Sequence, residues 1–374
     1  MRDNYKEICN DYEALKKEYY DAEKKEKVEI EGQEYFVPWL SMFPNQKDVK
    51  LALKLEIIEG RISNKDIITF SDVEGLSFEP NEIKLKDLQK KQEKKEDFLV
   101  TVFCSKSLTE NVCVDVINKS GNHLIGKLNI AKNNEIYKLP IKIVKVFTDK
   151  GNGTNNKKTF EDLTPTIYKK IEQDLQNRYF SQALIELNFS NVEEITINIE
   201  EFYTKNVIDI MYKDDKTIQG VKTKRGFDKV LYEDYYKNFK GIVVFLSAIP
   251  LYDLSAGLGR PFPLKMHYLI ISPDYVSDTL TIAHELGHTL GLDHSSLPDA
   301  YNKNKKTIEG SKIEDEQKEV RLKELQKIYP KFLFKHRQTD NIMEPDNGGY
   351  EQVSFWKWQW EKMQEEIKLY HNEK

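Results

Sequence analysis

Three histidines at positions 284, 288 and 294, with Glu285 and Gly291 between them, constrain what this chain can fold into more than any other feature of its sequence. They lie in the run Thr281-Ile-Ala-His-Glu-Leu-Gly-His-Thr-Leu-Gly-Leu-Asp-His-Ser-Ser296. In a helix, residues four apart are offset by about 40° around the axis, so His284 and His288 project from one face toward a common point. Leu280, Ala283, Leu286 and Leu290 recur at helical spacing and give the same helix a face to bury. Gly291 stands where that helix must stop. Without a Cβ it can adopt the left-handed conformation that reverses the chain, and His294 can then return to the first two histidines. Three neutral imidazoles suit a zinc ion, and three protein ligands leave a fourth position open, as in catalytic rather than structural zinc sites. Glu285 lies about 100° around the helix from His284, beside the metal, where a carboxylate can take a proton from water. Two histidines four apart are often only a surface pair. All five residues at this spacing would arise by chance in about one chain in 10⁴ of this length, taking roughly 5% usage for each.

His-Glu-x-x-His-x-x-Gly-x-x-His, as it stands at 284–294, is the signature of the metzincin zinc peptidases, and this chain resembles them. Downstream, Asp340-Asn-Ile-Met-Glu-Pro345 resembles the metzincin Met-turn, which implies that Met343 forms an apolar floor beneath the histidines. Ser295 after the third histidine and Pro345 two residues past Met343 look most like the matrix metalloproteinases. The likeness covers about 20 residues and is specific to the metal site. This chain departs from that subfamily in the long segment between His294 and Met343 and in having no cysteine-switch propeptide or structural-metal loop. Nor does a tyrosine stand two positions after Met343, as in astacins and serralysins. The clan is therefore assigned and the subfamily is not. The resemblance implies one catalytic Zn²⁺ held by His284, His288 and His294, with Glu285 as general base in peptide hydrolysis. Tyr350 is a candidate second oxyanion donor. The stretch from Ser255 to Pro263 would be an edge strand for an antiparallel peptide substrate, and the C-terminal stretch Phe355 to Tyr370 a closing helix.

The rest of the chain reads as two domains. Residues 3–27 place Tyr12, Leu15, Tyr19 and Ala22 at helical spacing. Short alternating or β-branched runs follow: Val49 to Ile58, Asp66 to Phe70, Phe98 to Cys104, Asn111 to Ile117, Leu124 to Ala131 and Leu139 to Phe147. Strands at this spacing predict an all-β immunoglobulin-like sandwich preceded by a helix, over 1–148. Residues 149–156 have the Gly/Asn composition of a linker. After it come a helix beginning near Thr164-Pro165, strands at 183–189, 194–202, 241–248 and 265–272, and a helix at about 277–291. These predict an α/β or α+β metzincin-like catalytic domain over 157–374, able to fold alone. The segment 298–339 reads as an insertion carrying a solvated helix from Ile313 to Ile328.

Composition narrows the remaining possibilities. Hydrophobic residues at 39% leave enough apolar material for two cores, and a net charge of −5 gives no reason to expect a nucleic-acid partner. Three cysteines, Cys9, Cys104 and Cys113, make no disulfide framework, and Cys104 and Cys113 are read as free thiols. No stretch of about 18 apolar residues suggests a membrane span, and the N-terminus lacks the apolar run of a signal peptide. The expected partner is a protein or peptide substrate, with the oligomeric state left open, and the expected place is the cytosol or outside the cell by a leader-independent route. An exported interbacterial effector, or an adhesion or binding module whose zinc domain turns over little, is the competing expectation. Its N-terminal part would then serve targeting or partner binding.

Overall fold

Most of the alternating apolar runs before residue 136 become strands, and they organise a unit of their own. The computed structural model describes residues 5–58, 60–150, 159–212, 218–260, 266–296, 305–328, 331–345 and 351–371. The chain is mixed α/β with several sheets and divides into two units, Met1–Ile136 and Tyr137–Lys374. In the first unit β1 (Val28–Ile30) and β2 (Gln33–Tyr35) form a hairpin. The remaining strands are β3 (Trp39–Leu40), β4 (Val49–Leu53), β5 (Ile67–Phe70), β6 (Leu76–Glu79), β7 (Glu82–Lys84), β8 (Phe98–Cys104), β9 (Val112–Asn118) and β10 (His123–Ile130). One sheet has the order β3-β10-β9-β5-β7 and another β4-β8-β6, antiparallel except where β3 meets β10. Alternate residues Val100, Val102 and Cys104 of β8 share one apolar cluster with Ile68 and Phe70 of β5, Val114 of β9 and Ile130 of β10. Each fully buried side chain of this size contributes about 1.5–3 kcal/mol. All three cysteines are free, with Cys104 buried and Cys113 half-buried.

Two local departures from the sequence reading have identifiable causes. The expected helix over 3–27 is two short helices, Tyr5–Ile8 and Tyr12–Lys17. Asp21 ends the helical path by accepting from the backbone N–H groups of Glu23 and Lys24 at 3.0 and 2.9 Å, a side-chain bond that competes with helix. Strand β4 stops at Leu53 because the Gln92 amide, on helix Leu85–Glu93, bonds both the N–H and the carbonyl of Leu55 at 2.9 and 2.8 Å.

The second unit begins earlier than the linker composition suggests. Strand β11 (Tyr137–Thr148), which the sequence pattern places last in the N-terminal domain, lies at the centre of the C-terminal sheet. It pairs in parallel with β12 (Ile185–Phe189) and β13 (Glu193–Ile197) on one edge and with β16 (Ile242–Ser247) on the other. The boundary therefore falls at 136/137 and not at 149–156, and residues 151–158 lie outside the described residues. Periodicity could not reveal this, because β11 alternates buried Leu139, Ile141 and Ile143 with less buried neighbours as a strand with one buried face does, and that alternation does not name its partners. The sheet continues through β18 (Tyr268–Ile271), parallel to β16, to the antiparallel edge strand β17 (Gly257–Leu258). A separate hairpin joins β14 (Ile208–Tyr212) to β15 (Ile218–Thr223). The expected strand 194–202 ends at Ile197, where Asn198 caps helix Ile199–Thr204 by accepting from the Glu201 N–H at 2.9 Å. Thr164 likewise caps helix Pro165–Asp174, with proline at its first position. In the insertion, helix Asp315–Ile328 begins with exposed residues Asp315, Glu316 and Gln317.

A fragment of residues 157–374 lacks the strand to which β12, β13 and β16 are paired, so it should fail to fold, whereas residues 137–374 should fold. Circular dichroism and thermal melting of the two purified fragments check this. A cooperative melt from the shorter piece would mean that β11 is dispensable.

Candidate metal centre

The helix that carries two of the histidines, Thr279–Thr289, starts where the side chain of Asp278 accepts from the Leu280 N–H at 3.1 Å and the Thr281 hydroxyl at 2.7 Å. It ends in a Schellman turn. The N–H of Gly291, at φ +83°, donates to the His288 carbonyl at 2.9 Å, and that of Leu292 donates to the Gly287 carbonyl at 3.0 Å. The left-handed glycine expected from the sequence thus reverses the chain and sends His294 back toward the helix.

His284, His288 and His294 each offer a ring nitrogen within 4.8 Å of the others. The His294 Nε2 lies 3.3 Å from the His284 Nε2 and 3.1 Å from the His288 Nε2. On the far side of two of the rings, carbonyls fix the tautomer. The His284 Nδ1–H donates to the Ile342 carbonyl at 2.7 Å, and the His288 Nδ1–H donates to the Leu292 carbonyl at 2.7 Å. A carbonyl can only accept, so each Nδ1 carries the proton and each Nε2 turns a bare lone pair inward. Nitrogens held about 2.0–2.1 Å from one tetrahedral ion would lie about 3.3 Å apart, which is the spacing found here. The donor set therefore fits a metal ion, and the cluster could hold one.

Burial keeps the three rings neutral. It lowers His284 from the ordinary 6.5 to about 4, with the nearby His294 adding to the effect. His288 is pushed well below its ordinary value by burial and by both neighbouring rings, and His294 is lowered mainly by burial.

Glu285 is buried next to this cluster, beneath the sheet edge. Its Oε2 accepts the Gly259 N–H, and burial raises its carboxyl to about 7, against the opposing effect of that bond. Glycine is needed at both ends of Gly257-Leu-Gly259. A Cβ at 257 would sit 2.6 Å from the Glu285 Cγ, and one at 259 would sit 2.2 Å from the Glu285 carbonyl oxygen. The expected edge strand therefore exists as Gly257–Leu258 and rides directly on the histidine helix, while residues 261–265 lie outside the described residues.

Met343 is fully buried, and a Cβ on Gly287 would come within 2.6 Å of its sulfur, so the methionine packs under the helix turn between His284 and His288. The turn that delivers it is held from three sides. Ser295 N–H donates to the Met343 carbonyl at 3.0 Å, Met343 N–H donates to the Asn341 Oδ1 at 2.9 Å, and the buried Asn341 amide donates to the Gln359 Oε1 at 2.7 Å. Gln359 belongs to helix Lys357–Glu366, whose Trp358, Trp360 and Met363 are buried, as the aromatic run leads one to expect. Sequence reasoning missed Asn341, Gln359 and Gly259, along with the carbonyls of Ile342 and Leu292. Asn341 stands inside the Asp340–Pro345 motif, a signal that could have found it. The other contacts are backbone groups or lie far along the chain and leave no mark in the sequence. Tyr350 lies outside the described residues.

One metal ion per chain should bind at this cluster and be absent from His288→Ala, as read by elemental analysis. With the histidines depressed, the ion should stay bound at pH 6 and leave as pH approaches about 4. In metal-free protein the unfolded chain takes up protons first. The stability contributed by neutral His284 is then fully present above pH 6.5 and lost as pH falls through about 4, which melting curves after chelation would register. Met343→Ala should lower stability by about 2–5 kcal/mol, because it opens a cavity beneath the ligands. Chemical denaturation measures this, and an unchanged midpoint would show that the site collapses without cost.

No protein-family model matches this chain, and no curated protein matches it.

Proposed function

We propose that this chain is a zinc-dependent endopeptidase with a metzincin-type catalytic domain. The observation that carries the reading is the convergence of three neutral Nε2 atoms beside one buried carboxylate. Three nitrogen donors, with no fourth protein ligand among the described residues, suit a catalytic zinc, which when bound would acidify a water and polarise the scissile carbonyl.

The protein's own residues account for the rest of the chemistry. Glu285, raised to about 7, is matched to neutral pH as a base. It would take the proton of the attacking water and pass it to the departing amine. The Gly259 N–H on Oε2 orients the carboxylate and leaves it further lone pairs to receive that proton. Strand β17 supports a peptide substrate in particular. It pairs with β18 on one side only among the described residues, and an extended chain can add to the other side through backbone hydrogen bonds regardless of side-chain sequence. Met343 and the elements that carry the three histidines hold the donors rigid, so that little reorganisation is needed during reaction.

The metzincin assignment draws support from the parallel-rich sheet with an antiparallel edge, the Schellman reversal at Gly291, the buried Met343 and the closing helix Lys357–Glu366. In the first unit the two sheets that share a core support an immunoglobulin-like sandwich.

Glu285→Ala should retain the metal while hydrolysis of a peptide library, followed by mass spectrometry, falls by at least about 10²-fold, because it removes the proton carrier and spares the ligands. Equal turnover by the variant and the parent protein would mean that another group is the base. Absence of cleavage by the zinc-loaded parent protein would overturn the peptidase reading itself.

A further inference from the structure

The segment 298–339 reads in the sequence as an insertion that adds a solvated helix, yet its last residues return to the metal cluster. Phe332, Leu333 and Phe334 are fully buried. The Phe334 N–H donates to the Ser295 carbonyl at 2.9 Å, and Phe334 forms a parallel bridge with Ser296, two residues past the third histidine. This bridge is the first of two anchors that fix the chain at the rim of the cluster.

The second anchor is Arg337, which takes left-handed backbone at φ +62° and donates its N–H to the Glu344 Oε1 at 3.2 Å. The Thr339 hydroxyl donates to the other oxygen of Glu344 at 3.2 Å. Glu344 is buried and directly follows Met343, so the same turn that floors the histidines also carries this carboxylate.

His336 lies between the two anchors. Its side chain keeps 51% of its surface exposed, and its Nε2 stands 3.9 Å from the Glu344 Oε1. That is a charge-pairing distance, longer than a hydrogen bond. The bridge to Ser296 and the bond to the Ser295 carbonyl bring this stretch of backbone alongside the residues that directly follow His294. A half-exposed imidazole on a backbone fixed from both sides, backed by a buried carboxylate at the rim of the cluster, has what a donor to a developing negative charge requires.

We propose that His336, oriented by Glu344, is a catalytic hydrogen-bond donor to the scissile carbonyl oxygen as it becomes an oxyanion; this rests on the peptidase reading of the centre. No bond to His336 is made or broken. The ring stabilises charge that develops on the substrate oxygen and releases it when the carbonyl re-forms.

The test uses full-length zinc-loaded protein with His336→Phe, which keeps a ring and removes the donor, and His336→Gln, which restores an N–H. Metal content and melting temperature should match the parent protein in both variants. In His336→Phe, kcat should fall about 10²-fold with KM changed by less than about twofold, since losing one oxyanion donor weakens only the transition state. His336→Gln should recover part of that loss. Calorimetry supplies a readout besides activity. The Kd for a phosphinic peptide, a tetrahedral anion, should weaken in His336→Phe, while an uncleaved peptide of the same sequence should bind unchanged in a Glu285→Ala background. Unchanged kcat and phosphinate affinity in His336→Phe, with hydrolysis by the parent protein intact, would overturn this inference and leave the peptidase reading standing. A fall in kcat without a fall in phosphinate affinity would overturn it too. If His336→Phe does not fold, His336→Ala reads the same quantities. Failure of the parent protein to cleave any peptide would overturn both readings.

Discussion

Three imidazole rings turned toward one another in a largely buried cluster are the constraint around which the second unit is arranged. Two of them turn Nε2 lone pairs inward beside the His294 Nε2, and leaving such buried acceptors unmet would cost about 1–3 kcal/mol. The fold accepts this arrangement because carbonyls hold two of the rings from behind, Ile342 for His284 and Leu292 for His288. A cation at the common point would satisfy all three nitrogens at once, and its binding would then couple to folding in this region.

The supports of that cluster come from distant parts of the chain. The Leu292 carbonyl is available because Gly291 reverses the helix, and the Ile342 carbonyl because the turn at 341–344 is tied through Asn341 to Gln359 of the closing helix. Gly257 and Gly259 let the sheet edge approach Glu285 closely enough for a backbone N–H to reach its carboxylate. Beneath that edge, the sheet is organised on β11, whose Ile141 pairs with Phe189 on one side and Ile242 on the other. The site thus sits on rigid elements, and its loops carry anchors of their own.

The first unit has a polar constraint of a different kind. Lys127 of β10 is almost wholly buried between Asp21, at 2.9 Å, and Asp115, which faces it across the β9–β10 ladder. A buried pair of this type adds little net stability, because desolvation offsets the attraction, but removing one partner strands a charge at a cost of about 3–5 kcal/mol. With Asn129 bonding Ala22 N–H at 2.9 Å and the Tyr20 carbonyl at 2.7 Å, the pair fixes the polar segment 20–24 to β10. The highly charged N-terminus is thereby ordered by specific contacts where an apolar stripe is weak.

The sequence by itself determined the parts whose chemistry is local. The helix of His284 and His288, the reversal at Gly291, the return of His294 and the helix start at Thr164-Pro165 follow from spacing and from the backbone preferences of single residues. Most strands could be placed within a few residues for the same reason, since side-chain alternation is a local property. Tertiary structure decided which sheet each strand joined. The Leu139 to Phe147 run reads alike as the last strand of a sandwich or the central strand of a parallel sheet, and only its partners β12, β13 and β16 assign it to the second unit. Tertiary structure also decided the electrostatics of the site. Neutral histidines and a carboxyl raised to about 7 result from burial, and burial depends on neighbours that are distant in the chain. Residue types and spacing select the possible metal ligands, whereas the long-range packing around them sets their protonation and geometry.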